Sequence, residues 1–109
     1  MTRTLVVTEV ADENIDEQLA FFAGKDPDLA RRFLAALYDD AFPALLRFPE
    51  MGTAWKSEKA SLADVRWRLV PDFPQHMIFY RPTKETVEIL WVLYGSRDLP
   101  LIIEKEGKN

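Results

Sequence analysis

Hydrophobic residues follow a helical spacing in the first half of the chain and a strand-like spacing in the second half. The apolar, β-branched run Thr4–Val10 predicts a first strand, and Thr8 is placed to cap the helix that follows. Apolar residues then recur at helical spacing from Ile15 to Phe22, and Gly24 is a natural end for this helix. The pattern predicts a strand followed by an amphipathic helix.

A second helix is predicted immediately after the first. Asp26 is its expected N-cap, with a proline at the first helical position. An apolar stripe runs from Ala30 to Phe48, but Pro43 interrupts it, so we expect a bend or an early end near Ala41. Two helices joined by about two residues are expected to form an antiparallel hairpin.

The hydrophobic period changes to two further along the chain. Alternation in the segment Val65–Val70 places Trp67 on one face of a strand, and Arg66 and Arg68 on the other face. The segments "HMIFYR" and "VEILWVLY" predict two more strands joined by a polar turn. The second of these is almost entirely apolar, as is typical of a strand covered on both faces.

Two shorter segments give weaker indications. Thr53–Glu58 is a candidate edge strand, and "LPLIIE" near the end predicts a short strand or a packed tail. Together the elements predict one domain over residues 1–109, of the two-layer α+β class. In it, a strand and an antiparallel helical hairpin precede a mainly antiparallel sheet of four or five strands.

The hairpin must bury its apolar stripe, and one face of the sheet is the available surface. We therefore expect the opposite face to present Arg66 and Arg68 and to remain partly open. An open concave sheet face on a small domain usually binds a ligand or a partner.

Composition narrows the chemistry that this fold can support. The 109 residues include no cysteine and one histidine, His76, so disulfides, thiolate zinc sites and histidine-rich metal sites are not expected. No glycine-rich phosphate loop is present, and we expect no cofactor. We assign His76 a structural or surface role, because a lone imidazole lacks a partner to tune it.

Charge and hydropathy limit the partners and the compartment. The net charge of −4 and the pI of about 5.0 give no general attraction to nucleic acid. No apolar run reaches the ~20 residues that cross a membrane, and the N-terminus does not resemble a signal peptide. The expected location is the cytoplasm.

The strand half of the chain contains the candidate binding residues. Its arginines suit carboxylates and phosphates, and its aromatic residues combine apolar rings with polar groups. Two alternatives remain open: separate surface arginines in weak ion pairs, and aromatic residues that belong to the core. The candidate binding residues are Arg66, Arg68, Tyr80, Arg81, Trp91, Tyr94 and Arg97.

Four motifs occur in an order that points to a known family. They are "VTEVADENID", the leucine–x–x–Phe-Pro–x–x–Gly pattern of residues 45–52, an arginine followed by Phe-Pro and Ile-Phe-Tyr in residues 66–80, and the Gly-x-Arg-Asp of residues 95–98. In this arrangement the chain resembles the RelE/ParE family of bacterial type II toxin–antitoxin toxins, and most closely its ParE-like branch. The resemblance covers most of the chain.

The resemblance implies a growth-blocking toxin that a cognate antitoxin neutralises. In the ParE branch the implied target is DNA gyrase, which the toxin inhibits by binding. In the RelE branch the toxin is an endoribonuclease that cleaves mRNA on the ribosome. A third reading is a non-toxic member of the family that binds a partner. Whether the chain also forms oligomers through the antitoxin is left open.

Departures from the family pattern favour the binding branch. The family often has an arginine where Trp91 stands and a histidine where Tyr94 stands, and pre-placed cations stabilise charge during phosphodiester cleavage. The tail "EKEGKN" also offers no tyrosine or histidine as a base.

We therefore expect no catalytic residues and leave enzymatic activity uncertain. The candidate binding residues are assigned to the antitoxin or the target. If the chain is a nuclease instead, its catalytic residues are expected to be Tyr80, Tyr94, Arg66, Arg68, Arg81 and Arg97.

Overall fold

A computed structural model describes residues 2–95 and Ile103 of the chain. Helices occupy the first half and strands most of the second half, as the hydrophobic pattern predicts. In chain order the elements are strand β1 (Thr4–Val7), helix α1 (Glu9–Lys25), helix α2 (Pro27–Ala35), a π-helical segment (Ala36–Ala41), helix α3 (Phe42–Arg47), strand β2 (Thr53–Ala54), a 3-10 turn (Ala60–Leu62), and strands β3 (Arg66–Val70), β4 (Phe73–Pro82) and β5 (Thr86–Tyr94).

The strands form one five-stranded sheet in the order β1-β5-β4-β3-β2. The β1–β5 pair is parallel, and the other three pairs are antiparallel. The predicted α+β class with a mainly antiparallel sheet is confirmed. The edge strand β2 is shorter than the Thr53–Glu58 expected. The predicted tail element "LPLIIE" lies outside the described residues, apart from Ile103, which is buried.

Both predicted helix caps are present. The Thr8 hydroxyl accepts a hydrogen bond from the Ala11 N–H (3.2 Å) and donates to the Ile89 carbonyl (2.9 Å), so it joins the start of α1 to β5. The Asp26 carboxylate accepts from the Asp28 N–H (3.0 Å), and Pro27 opens α2. Each cap satisfies an N–H that a helix start leaves without an internal partner.

The helical chain continues past Ala41, where we expected a bend or an early end. The residues before Pro43 adopt a π-helical turn, in which the Phe42 N–H donates to the Leu37 carbonyl. Proline at position 43 has no N–H for the next α-helical bond. The wider turn lets the chain continue from α2 into α3, which runs to Arg47.

α2 runs back along α1, as the predicted hairpin requires. The Phe22 and Phe33 rings meet near the connection, with centroids 5.2 Å apart. Further from this connection, Asp12 of α1 and Tyr38 of the π-helical segment line the same groove. No helix among residues 2–95 is long and apolar enough to cross a membrane.

The main core lies between the helices and one face of the sheet. Its fully buried members include Ile15 and Leu37 from the helices, and Ile78, Tyr80 and Ile89 from the strands. Burying a side chain of this size stabilises the fold by about 1.5–3 kcal/mol. This core fixes which sheet face the helices cover.

The expectation that Arg66 and Arg68 lie on the face opposite the helices is wrong. In the β3–β4 register, Arg66 pairs with Tyr80 and Arg68 pairs with Ile78, so both arginines lie on the helix side. The opposite face is apolar and partly covered. A second buried cluster there consists of Leu62, Val65, Phe79, Trp91 and Ile103.

Candidate functional site

The structure divides the predicted binding residues among three places. Arg66, Arg68 and Tyr80 surround the turn that follows α3, on the helix side of the sheet. Arg81 and Trp91 lie on the opposite face. Tyr94 lies on the helix side at the far end of β4 and β5, opposite His76, and Arg97 lies outside the described residues. The predicted residues therefore do not form one arginine–aromatic face.

The turn after α3, residues 48–52, is held by two of the predicted side chains. The buried Tyr80 hydroxyl donates to the Pro49 carbonyl (2.8 Å) and accepts from the Gly52 N–H (2.8 Å). Arg66 Nη1 donates to the carbonyls of Gly52 (2.8 Å) and Glu50 (3.2 Å). Tyr80 and Arg66 therefore hold the backbone of the 48–52 turn in place. Burial raises the pKa of the Tyr80 phenol.

Gly52 is required by this arrangement because its Cα lies against Tyr80 and β3. A Cβ at this position would lie 2.6 Å from Tyr80 Oη and 2.7 Å from the Trp67 carbonyl oxygen. No described glycine has a positive φ, so close approach, not backbone conformation, selects glycine here. The Phe-Pro–x–x–Gly motif thus forms a turn that packs closely against the sheet.

The same turn exposes apolar side chains. Phe48 is 63% exposed and Met51 is 49% exposed. Arg68 lies beside them, with its Nη1 3.8 Å from Met51 Sδ. We call Phe48, Met51 and Arg68 the Phe48 patch.

Arg81 and Trp91 are built into the opposite face. Arg81 Nη2 donates to the Ser61 carbonyl, and its Nη1 lies 3.7 Å from Glu88 Oε1. Trp91 is 8% exposed and packs edge-on against Phe79. The Arg81 contact fastens the 3-10 turn to the sheet, and Trp91 belongs to the second apolar cluster.

Tyr94 lines a groove with a volume of about 940 Å³. The groove lies between the second half of α1, the β3–β4 turn and the end of β5, and five of its eleven lining residues carry an aromatic ring. Phe21 (56% exposed) and Tyr94 (51% exposed) lie at its mouth. The Tyr94 hydroxyl donates to Gln75 Oε1 (2.9 Å). The lining residues of this Tyr94 groove are Glu17, Gln18, Phe21, Phe22, Lys25, Asp72, Phe73, Pro74, Gln75, His76 and Tyr94.

His76 forms the floor of the groove, and sequence reasoning missed its place there. Its Nε2–H donates to Gln18 Oε1 (2.8 Å), because an amide oxygen can only accept. The imidazole packs against the rings of Phe22, Phe33 and Tyr94 at centroid distances of 5.5, 5.0 and 5.3 Å. Burial lowers the pKa of His76, so the ring is neutral at pH 7.

One sequence signal was available for His76. It lies two and four residues before Ile78 and Tyr80, so strand alternation places all three on one face. Recognising that face as the covered one requires the strand register.

Three of the residues predicted for a nuclease are enclosed or have structural contacts. Tyr80 has no exposed surface, Arg66 is bound to backbone carbonyls, and Arg81 lies on the opposite face. No group of three or more histidine or acidic side chains among residues 2–95 is arranged to hold a metal ion. Two accessible features, the Tyr94 groove and the Phe48 patch, suit protein contacts.

Comparison with known proteins identifies the fold. No family model matches the sequence, and no curated protein matches it. Among solved structures, this chain is similar to a chain of the structure titled "Chromosomal ParDE TA system from P. aeruginosa", with a TM-score of 0.68 and 17% sequence identity. The similarity covers 86% of this chain and 97% of that chain. The chain therefore has the RelE/ParE-like fold that its motifs predicted.

Proposed function

We propose that this chain is the toxin component of a bacterial type II toxin–antitoxin system, neutralised by a cognate antitoxin. The observation that carries the proposal is the fold shared with a ParDE-system chain along 86% of the sequence. The four motifs in family order support it independently, because the comparison at 17% identity rests on shape.

The Tyr94 groove is the proposed antitoxin site. It is open and contains several aromatic rings, of which Phe21 and Tyr94 are exposed. An antitoxin that places apolar side chains between these rings would remove them from water, which is the main driving force of such contacts. Gln18, Gln75 and His76 supply polar groups that fix the partner's orientation.

The proposed action is inhibition of DNA gyrase by binding, without chemistry on a nucleic acid. The positions of these side chains support this: Tyr80 is buried, Arg66 beside it holds backbone carbonyls, and Arg81 lies on the opposite face, whereas general acid–base cleavage needs its groups within reach of one phosphate. The net charge of −4 also opposes tight contact with RNA.

The alternative is a RelE-like endoribonuclease that cuts mRNA on the ribosome. It is favoured by one observation, the exposed Tyr94 hydroxyl, which an incoming phosphodiester could reach. Primer extension on translated messages after induction distinguishes the two activities. New 5′ ends within codons would support the nuclease, and their absence would support binding.

Growth of a bacterial host tests the proposal as a whole. We expect induction of the chain alone to stop growth, and co-expression of the adjacent antitoxin frame to restore it. Normal growth without the antitoxin would contradict the toxin assignment and favour a non-toxic partner-binding protein.

Binding of purified antitoxin to groove variants tests the antitoxin site. Phe21→Ser with Tyr94→Ser is expected to weaken antitoxin binding tenfold or more, since truncating central aromatic residues typically costs ~1 kcal/mol or more each. Leu69→Ser is the matched control, because Leu69 is 43% exposed on the opposite face of the sheet. Equal weakening by both variants would refute the assignment of the groove.

A further inference from the structure

The Phe48 patch is an exposed apolar surface on a rigid support. Phe48 and Met51 lie on the 48–52 turn, whose backbone is fixed by Tyr80 and Arg66 through four hydrogen bonds. Exposed apolar side chains are unremarkable when scattered, but these two share one short turn. Because the turn is already ordered, a partner that binds it loses little conformational entropy.

The charged residues in and beside the Phe48 patch have a net charge opposite to that of the whole chain. Arg47 precedes Phe48, Arg66 and Arg68 flank the turn, and Glu50 is the acid within it. Three arginines and one glutamate leave two excess positive charges in a chain of net charge −4. None of the ion pairs formed among residues 2–95 involves these four side chains.

We propose that the Phe48 patch docks a protein segment that presents carboxylates beside an apolar side chain. Phenylalanine, methionine and arginine are enriched where proteins meet, and the planar guanidinium of Arg68 matches a carboxylate. The apolar side chain of the segment covers Phe48 and Met51, while its carboxylate meets Arg68.

An acidic protein segment fits these observations better than a nucleic acid does. Nucleic acids are bound along extended basic surfaces with several rings for stacking, whereas this patch offers a small basic area and a single aromatic ring. This surface is distinct from the Tyr94 groove: Tyr80 beneath the turn and His76 in the groove are four residues, about 13 Å, apart along β4. The inference therefore does not depend on where the antitoxin binds or on the identity of the target.

Amide NMR titration of the whole chain tests the proposal with defined probes. The probes are the peptide acetyl-EDLFDE-amide, its basic counterpart acetyl-KKLFKK-amide, and an oligothymidine. We expect the acidic peptide to shift the amides of residues 47–52 and 66–68, and to bind at least tenfold more tightly than the basic peptide.

Matched variants show whether the patch itself is responsible. Phe48→Ser and Arg68→Glu are expected to lower the affinity for the acidic peptide about tenfold. The controls Leu69→Ser and Lys84→Glu are expected to leave this affinity unchanged. All four positions are on the surface or only part-buried, and a thermal melt confirms folding of each variant.

Three results would overturn the proposal. They are no shifts in residues 47–52 with the acidic peptide, equal binding of the basic peptide, and preferential binding of the oligonucleotide at this patch. Because the titration contains neither antitoxin nor gyrase, its failure would leave the proposed toxin function standing, and growth inhibition would test that function separately.

Discussion

Two glycine-to-alanine substitutions should have opposite effects on stability. In Gly52→Ala, the new Cβ would lie 2.6 and 2.8 Å from Oη and Cε1 of Tyr80, and 2.7 Å from the Trp67 carbonyl oxygen. The ring cannot swing away without losing both hydrogen bonds of its hydroxyl, and the carbonyl belongs to strand β3. In Gly24→Ala, nothing lies within 4 Å of the new Cβ, and the position is helical.

The expected magnitudes follow from these contacts. Overpacking at Gly52 costs ~1–3 kcal/mol, and displacing Tyr80 adds about 1 kcal/mol for each hydrogen bond lost. We therefore expect Gly52→Ala to lower the free energy of unfolding by about 3 kcal/mol. Gly24→Ala should raise it by about 0.5–1 kcal/mol, because alanine is the better helix former.

Urea denaturation followed by circular dichroism measures both changes. A loss of about 3 kcal/mol shifts the midpoint down by ~1–2 M at the slope typical of small proteins, whereas Gly24→Ala shifts it up slightly. A Gly52→Ala midpoint equal to that of the wild type would refute the close packing of the turn against Tyr80.

Three further substitutions test the core, the groove and a helix cap. Tyr80→Phe should cost about 2–3 kcal/mol, because it leaves the buried Gly52 N–H and the Pro49 carbonyl without their partner; thermal melting should show a drop on the order of 10 °C. Burial lowers the pKa of His76 below its ordinary 6.5, so the unfolded chain binds more protons and stability should fall as pH drops below about 6.5. Urea midpoints at pH 7.5 and 5.5 should show this loss of stability. Because the chain has no other histidine, an equal loss between these pH values in His76→Gln would contradict the assignment. Thr8→Ala should cost ~1–2 kcal/mol in chemical denaturation through loss of the α1 cap, and an unchanged midpoint would exclude that role.

Local structure was predictable because its causes are local. The Thr8 and Asp26 caps depend on neighbouring N–H groups, and the α+β class follows from the change of hydrophobic period. The winding before Pro43 was harder to predict, because a chain can accommodate a missing N–H by a bend, an end or a π-helical turn.

The candidate site was less predictable because it depends on which face the helices cover. Alternation correctly separated Trp67 from Arg66 and Arg68, yet it could not tell which set faces α1 and α2. Two apolar clusters, one on each face, made both choices compatible with the sequence. The register of β3 and β4 resolved this, and it placed the two arginines beside the Phe48–Gly52 turn.

The grooves could not be predicted from sequence for a related reason. The Tyr94 groove combines residues of α1, the β3–β4 turn and β5, which are far apart in the sequence. The exposure of Phe48 is likewise a tertiary property, because Phe33, Leu37 and Leu45 of the same apolar stripe are buried. Aromatic content alone could not separate core from surface.

The most direct test of the proposed action is DNA supercoiling by purified gyrase in the presence of the purified chain. We predict that micromolar chain inhibits conversion of relaxed plasmid to the supercoiled form, and that prior addition of the antitoxin restores it. Supercoiling at the uninhibited rate with folded, growth-inhibiting chain would contradict gyrase as the target.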